Sequence, residues 1–168
     1  MSSELPNAVG ERIRLRSLLE RGPVVLVFYR GAWCPYCNTQ LRAMQDIHQQ
    51  IMELGATLAA VSPQSPDAQA TFVKDAGFSF EVLSDVGSYV ASDYGIAFEL
   101  PVEDRGLFLA VGNDLSEVNG SDSWILPAPS TYVIAPDSVI KYARVDGNYV
   151  SRPDVREAFA ALTEAVAR

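Results

Sequence analysis

The chain is poor in the residues that build metal centres. Its 168 residues include two cysteines and one histidine. A structural zinc site needs about four ligands at paired spacings, and no second cysteine pair exists to supply them. No apolar run approaches the ~18 residues of a membrane span. Basic residues are few: 13 Lys and Arg against 21 Asp and Glu give a formal net charge of −8. That balance argues against nucleic acid and against anionic membranes as partners. Met-Ser-Ser-Glu-Leu-Pro at the N-terminus lacks the basic-then-apolar pattern of a secretory signal. A cytoplasmic protein is therefore expected, with reduced thiols as its resting state. Asn119-Gly120-Ser121 spells a glycosylation acceptor, which has no meaning without secretion. No internal repeat or low-complexity stretch is visible. At 168 residues and 48% apolar, a single domain spanning 1–168 with a sizeable core is expected.

What is present is concentrated. Both cysteines lie in one tetrapeptide, Cys34-Pro35-Tyr36-Cys37. So short a disulfide loop removes little entropy from the unfolded chain, which suits reversible redox chemistry better than stapling. Upstream, Val24–Tyr29 is a continuous β-branched and aromatic run that reads as a buried strand. Arg30-Gly31-Ala32-Trp33 makes a short turn. Pro35 fits the first helical position, where its missing N–H costs nothing. Cys34 is then the N-cap. Leu41, Met44, Ile47, Ile51 and Leu54 form a stripe at helical spacing that extends back to Cys37 but not to Cys34. Cys37 is expected to face the core and Cys34 to sit at an exposed helix tip. A thiol there meets free backbone N–H groups and the positive end of the helix dipole. Such placement lowers thiol pKa values from ~8.5 to as little as ~3.5–7.5. Arg30 adds positive field one turn away. Cys37 would attack the adduct formed on Cys34 and close the disulfide.

The remaining pattern is α/β. A half-exposed strand is expected over 11–16, followed by a turn of helix with a Ser17/Glu20 capping box. Strand 24–30 leads to helix 35–54, then strand 56–62. Helix 66–76 runs between Ser65 and Gly77, strand 80–83 follows, and helix 85–94 ends at Gly95. Residues 98–125 show no clear pattern, apart from a short helix near 103–111, and form an insertion or a lid. Strands 131–135 and 139–145 straddle Pro136-Asp137-Ser138, a hairpin signal. The last helix is 153–167, capped near Ser151 or Arg152, with Val155, Phe159, Leu162 and Val166 facing in. Alternating strands and helices followed by an antiparallel pair make a thioredoxin-like pattern. His48 lies beside the core stripe of the long helix, too far along it to serve Cys34 as a base, and reads as a packed histidine.

Phe28-Tyr29-Arg30-Gly31-Ala32-Trp33-Cys34-Pro35-Tyr36-Cys37 resembles the redox segment of the thioredoxin superfamily. It is most similar to the peroxiredoxin-like branch of the alkyl hydroperoxide reductase/thiol-specific antioxidant family. Leu126–Ile134 and the Val139–Val145 run resemble that family's late Pro-then-strand hairpin, and Asp122-Ser123-Trp124 also fits. The resemblance covers roughly residues 10 to 165. It implies a thioredoxin-like fold with a mixed central sheet, flanking helices, an N-terminal extension and an insertion. It implies no cofactor, a peroxide substrate, thioredoxin or a similar dithiol as reductant, and a homodimer as an option. Cys34 and Cys37 are its catalytic residues, supported by Arg30, Trp33, Pro35, Tyr36 and Pro129. Pro129 takes the place of the family's cis-proline.

Two departures matter. Peroxiredoxins carry Pro-x-x-x-Thr-x-x-Cys, and that register puts Arg30, Cys34 and Cys37 at the three positions, with attack from Cys37. The thioredoxin register puts attack on Cys34, as the N-cap argument does. The Arg that polarises peroxide is replaced by Pro129, leaving Arg30, Arg144 and Arg152 as substitutes. Three functions stay open: a peroxidase, a disulfide reductase without peroxidase activity, and a module whose Cys-x-x-Cys holds a metal or iron–sulfur cluster between two chains.

Overall fold

The computed structural model describes residues 4–152 and 154–167. β1 (Glu4–Pro6) and β2 (Arg12–Arg14) form an antiparallel ribbon. The strand expected over 11–16 stops at Arg14. Leu15, Leu18 and Leu19 turn inward at helical spacing and form α1 (Leu15–Leu19). The expected Ser17/Glu20 capping box is absent. Arg14 is the N-cap without a side-chain bond, and Ser17 Oγ donates back to the Arg14 carbonyl at 2.8 Å.

β3 (Val24–Phe28) is buried throughout. Val25 and Val27 enter one core, while Val24, Leu26 and Phe28 enter another. Successive strand side chains point to opposite faces, so a strand covered on both sides reads as an unbroken apolar run. The single helix expected over 35–54 is two, α2 (Pro35–Asp46) and α3 (His48–Glu53), parted at Ile47 with φ −104° and ψ 3°. The break falls where two residues clamp Ser79. Gln45 bonds its backbone and hydroxyl, and His48 Nδ1 lies 2.9 Å from its Oγ. Leu41, Met44 and Ile51 stay buried across the break.

β4 (Thr57–Ser62) pairs in parallel with β3. α4 (Pro66–Ala76) starts at Ser65, whose hydroxyl accepts from the Ala68 N–H, and ends on Gly77 at φ 70°, as its sequence signals. β5 (Glu81–Ser84) pairs in parallel with β4. The helix expected over 85–94 shrinks to α5 (Tyr89–Asp93). Asp85 lies outside it and accepts from the Val90 and Ala91 N–H groups at 3.0 and 2.9 Å. A side chain that bonds nearby backbone competes with helix extension in this way.

Residues 98–125 do fold. β6 (Ala97–Glu99) and β7 (Ile125–Pro127) pair antiparallel, and between them lie α6 (Val102–Ala110) and α7 (Leu115–Val118). Leu100, Leu115 and Leu126 give this segment a small core of its own, packed against Trp33. β8 (Ser130–Ile134) and β9 (Ile140–Val145) form the expected hairpin. α8 (Val155–Val166) is capped by Asp154, which accepts from the Arg156 N–H, and not by Ser151 or Arg152. Its expected start at 153 lies outside the described residues. Ala158 and Leu162 are buried, whereas Val166 is 40% exposed and faces outward, against expectation.

The central sheet runs β5-β4-β3-β8-β9, with β8 antiparallel to β3. This is the thioredoxin-like arrangement, a mixed sheet with helices on both faces. Among the described residues no helix is long and apolar enough to cross a membrane.

Candidate active site

The site is built on the turn from β3 to α2. Cys34 is the N-cap, in extended conformation, and Pro35 opens the helix. The turn is tied at several points. The Cys34 N–H donates to the Gly31 carbonyl at 3.1 Å, and Asn38 Nδ2 donates to the Ala32 carbonyl at 2.8 Å. Gln64 Oε1, from the loop after β4, accepts from the Ala32 N–H at 2.7 Å. Gly31 has φ 154°, and a Cβ there would lie 2.3 Å from Trp33 Nε1. Glycine is what lets the indole fold back over the turn.

Cys37 is fully buried, as expected. Cys34 is also buried, at 2% exposure, and the exposed helix tip expected from the stripe is corrected. Residues far along the chain cover it. The two thiols are nonetheless unequal, because Cys34 lines a cleft of about 720 Å³ and Cys37 does not. Both are free thiols.

Arg152, in the loop between β9 and α8, reaches both sulfurs. Its Nη2 lies 3.2 Å from Cys37 Sγ and 3.8 Å from Cys34 Sγ. Nη1 donates to the carbonyls of Tyr149 and Ser151. Arg144 turns instead to Asp146 at 3.3 Å. Arg30 is held by rings, with its guanidinium carbon 4.8 Å from the Trp33 centroid, 5.6 Å from Phe108 and 4.6 Å from Tyr149. Of the three candidate arginines, Arg152 touches sulfur, Arg30 lines the cleft and Arg144 is engaged elsewhere.

The Cys34 thiol pKa is lowered to about 6. The Cys37 S–H donates to it, and the Cys37 backbone N–H adds a second bond. Arg30 and Arg152 contribute positive field, and together these outweigh burial, which opposes ionisation. Cys37 is pushed up, because it gives its proton to that bond and is buried. Arg152 lies nearer Cys37, but the shared hydrogen bond places the anion on Cys34. A lowered pKa means that the thiolate predominates at pH 7. Iodoacetamide labelling of Cys34 is expected to accelerate as pH rises through about 6 and then to level off, whereas an ordinary cysteine keeps accelerating through about 8.5. Labelling rates that still climb above pH 8 would contradict a thiolate at neutrality.

The cleft walls come largely from the insertion: Phe98, Leu107, Phe108 and Val111, with Asp104 and Asn113. The segment read as an insertion or lid thus flanks the redox site. Arg105, by contrast, pairs with Glu99 at 2.6 Å. Tyr36 and Tyr149 complete the mouth with ring centroids 6.1 Å apart. Pro129 also lines the cleft, but the Ala128–Pro129 bond is trans, which corrects the cis-proline carry-over. Its carbonyl accepts from the Asp146 N–H at 2.9 Å, so β8 is entered from extended backbone. His48 is packed away from the site against Phe80 and Ser79. Among the described residues no three His, Cys, Asp or Glu side chains gather to hold a metal.

Gln64, Phe108 and Tyr149 were not singled out from the sequence. Gln64 and Tyr149 carry no local pattern, and Phe108 is one apolar position on a short helix. Their roles arise from long-range contact.

The AhpC/TSA family model matches residues 1–143. Rv1608c of Mycobacterium tuberculosis, which bears a peroxiredoxin name, is 34% identical over 93 residues, 55% of this chain and 60% of that protein. The thiol-disulfide oxidoreductase ResA of Halalkalibacterium halodurans is 32% identical over 93 residues, 55% of this chain and 52% of ResA. The chain therefore spans less than two thirds of the length of these curated relatives. Among solved structures, peroxidoxin BcpB from Mycobacterium tuberculosis superposes with a TM-score of 0.74 at 25% identity, covering 98% of this chain and 92% of that one. A mutant of PrxQ from Xylella fastidiosa gives 0.75 at 20% identity, covering 99% and 90%. With the family model matched over most of its length and a peroxiredoxin-type thioredoxin fold around its paired cysteines, the chain belongs to the AhpC/TSA family.

Proposed function

We propose that the protein is a thiol peroxidase that reduces hydrogen peroxide or organic hydroperoxides through Cys34 and Cys37. One observation carries the reading: Cys34, its pKa lowered to about 6, lines an apolar cleft while Cys37 lies directly behind it. The Cys34 thiolate attacks the distal oxygen of ROOH. An S–O bond forms, the O–O bond breaks, and RO⁻ leaves to take a proton from water. Cys34 becomes a sulfenic acid. The Cys37 sulfur then displaces hydroxide from it, giving the disulfide and, with the Cys37 proton, water. A dithiol such as thioredoxin restores both thiols by exchange. A reducing compartment such as the cytoplasm supplies it.

Arg152 is the cation that holds the thiol pair, in place of the arginine missing at position 129. Its donors favour the anion over the neutral thiol.

A second reading is a disulfide reductase without peroxidase activity. It is favoured by Cys34 standing where the peroxiredoxin pattern has threonine, and by the likeness to ResA. Stopped-flow decides between them. The reduced protein is expected to react with peroxide far faster than free cysteine at the same pH, and to turn over with thioredoxin. A rate no higher than free cysteine would leave the reductase reading.

A further inference from the structure

Gln64 is the tie on the redox turn that comes from another part of the chain. It is 3% exposed, and its Oε1 accepts from the Ala32 N–H at 2.7 Å. Its own backbone N–H donates to Ser62 Oγ at 3.3 Å. That hydroxyl oxygen also accepts from Gln69 Nε2, on α4, at 2.8 Å, and Gln69 Nε2 donates as well to the Leu83 carbonyl at 3.1 Å. Gln69 Oε1 in turn accepts from the Tyr29 hydroxyl. Tyr29, Ser62 and Gln69 are all fully or almost fully buried. These bonds make a circuit that leaves the main chain at Tyr29, passes through α4 and the loop after β4, and returns at Ala32. Arg30 and Gly31 lie between its two ends, and the Gly31 carbonyl accepts from the Cys34 N–H at 3.1 Å. Apolar side chains could pack β3 and β4 against α4 without exposing the fold to the cost of a half-made polar network. A satisfied network instead rigidifies and fixes one geometry. An amide also supplies its acceptor without a charge that would oppose a thiolate.

We propose that Gln64 is a positioning residue for the redox pair: through Ala32 it holds the turn that sets Cys34 against Cys37, and so it sets the dithiol–disulfide balance. The Cys34 thiolate accepts from the Cys37 S–H and the Cys37 backbone N–H. Both bonds need Cys34 at the helix cap in its observed pose. Without the Ala32 tie the turn shifts and the thiolate loses part of that support. The support exists only in the dithiol state, so its loss moves the balance toward the disulfide. This goes beyond the peroxidase reading. It rests only on the Cys34–Cys37 cycle that the reductase reading shares, and it is tested without peroxide.

Wild type, Gln64→Met, Tyr29→Phe and the double variant are compared by two measurements. One is the pH midpoint of iodoacetamide labelling at Cys34. The other is the midpoint potential at pH 8, from equilibration with mixtures of reduced and oxidised dithiothreitol. Methionine keeps the length of Gln64 and removes the acceptor. Gln64→Met is expected to raise the labelling midpoint by about half to one unit, the equivalent of one hydrogen bond. The dithiol–disulfide equilibrium is expected to move about three- to tenfold toward the disulfide, a potential ~15–30 mV more negative. Tyr29→Phe breaks the far end of the same circuit and is expected to shift both in the same direction by less. The double variant is expected to shift by less than the sum, as for residues in one network. Thermal melting is recorded alongside, because a side chain that only packs lowers the melting temperature and moves neither readout. A Gln64→Met protein with unmoved labelling midpoint or potential overturns the assignment, as do shifts that simply add in the double variant. If Gln64→Met does not fold, Tyr29→Phe carries the test with the same two readouts and the same overturning result. A wild type slow with peroxide ends the peroxidase reading and leaves these measurements to decide this one.

Discussion

Cys34→Ser is expected to lose essentially all peroxide turnover, about 10⁴-fold or more, as when other nucleophiles are removed. Cys37→Ser is expected to keep the first step and stop there. After one equivalent of peroxide it should carry a sulfenic acid or a mixed disulfide on Cys34, detectable by mass spectrometry after trapping. Serine keeps a hydroxyl donor beside Cys34, so the thiol should remain substantially ionised at pH 7. The asymmetry follows from position. Cys34 lines the cleft with a pKa near 6, while Cys37 is walled off and holds its proton. Trapped sulfenic acid mainly on Cys37 would reverse the assignment. The peroxiredoxin register would then apply, with Cys34 as the resolving thiol.

Arg152→Met is expected to raise the Cys34 pKa by about one to two units, the usual effect of losing an opposite charge at this range. The sign is upward because a cation beside the thiols favours the thiolate. From about 6 in the native protein, the midpoint of iodoacetamide labelling should move toward the ordinary value of ~8.5. At pH 7 the peroxide rate should fall about two- to tenfold, as the thiolate fraction does. Above about pH 9 the defect should shrink, because both proteins are then ionised. Arg152→Lys should recover part of the shift. A labelling midpoint unchanged in Arg152→Met would show that the 3.2 Å and 3.8 Å contacts do not hold the thiolate. A defect that persists at high pH would show that Arg152 also acts on the bound oxidant.

Much of the framework was written locally. The unbroken Val24–Phe28 run specified a strand buried on both faces, because every second residue feeds a different core. Pro35 fixed the helix start and made Cys34 the cap. Ser65 and Gly77 marked both ends of α4 through short-range hydrogen bonds and one left-handed residue. These signals depend on neighbours within a turn, so a linear reading recovers them. The same reading failed where a distant contact outweighed local preference. The long helix broke where Ser79 is clamped by Gln45 and His48. The 85–94 helix shortened for a nearer cause, Asp85 staying outside it and accepting from the Val90 and Ala91 N–H groups of its first turn.

The amino-acid sequence by itself determined the redox motif, the family and the order of the five central strands, since each rests on contiguous residues or on periodicity. Only the tertiary structure decided how the motif is dressed. Cys34 is capped yet buried, because the cleft walls and the late loop close over it. Arg152 became the thiol-binding cation across 115 residues of sequence, a distance no motif encodes. Arg30 sits one short turn from Cys34, but its cage needs Phe108 and Tyr149 from two other parts of the chain. Pro129 keeps its place in the cleft and is trans, with its carbonyl accepting from the Asp146 N–H brought in by the β8–β9 hairpin. Burial, charge pairing and backbone geometry at the site are set by chain closure over long distances, and sequence proximity carries no record of it.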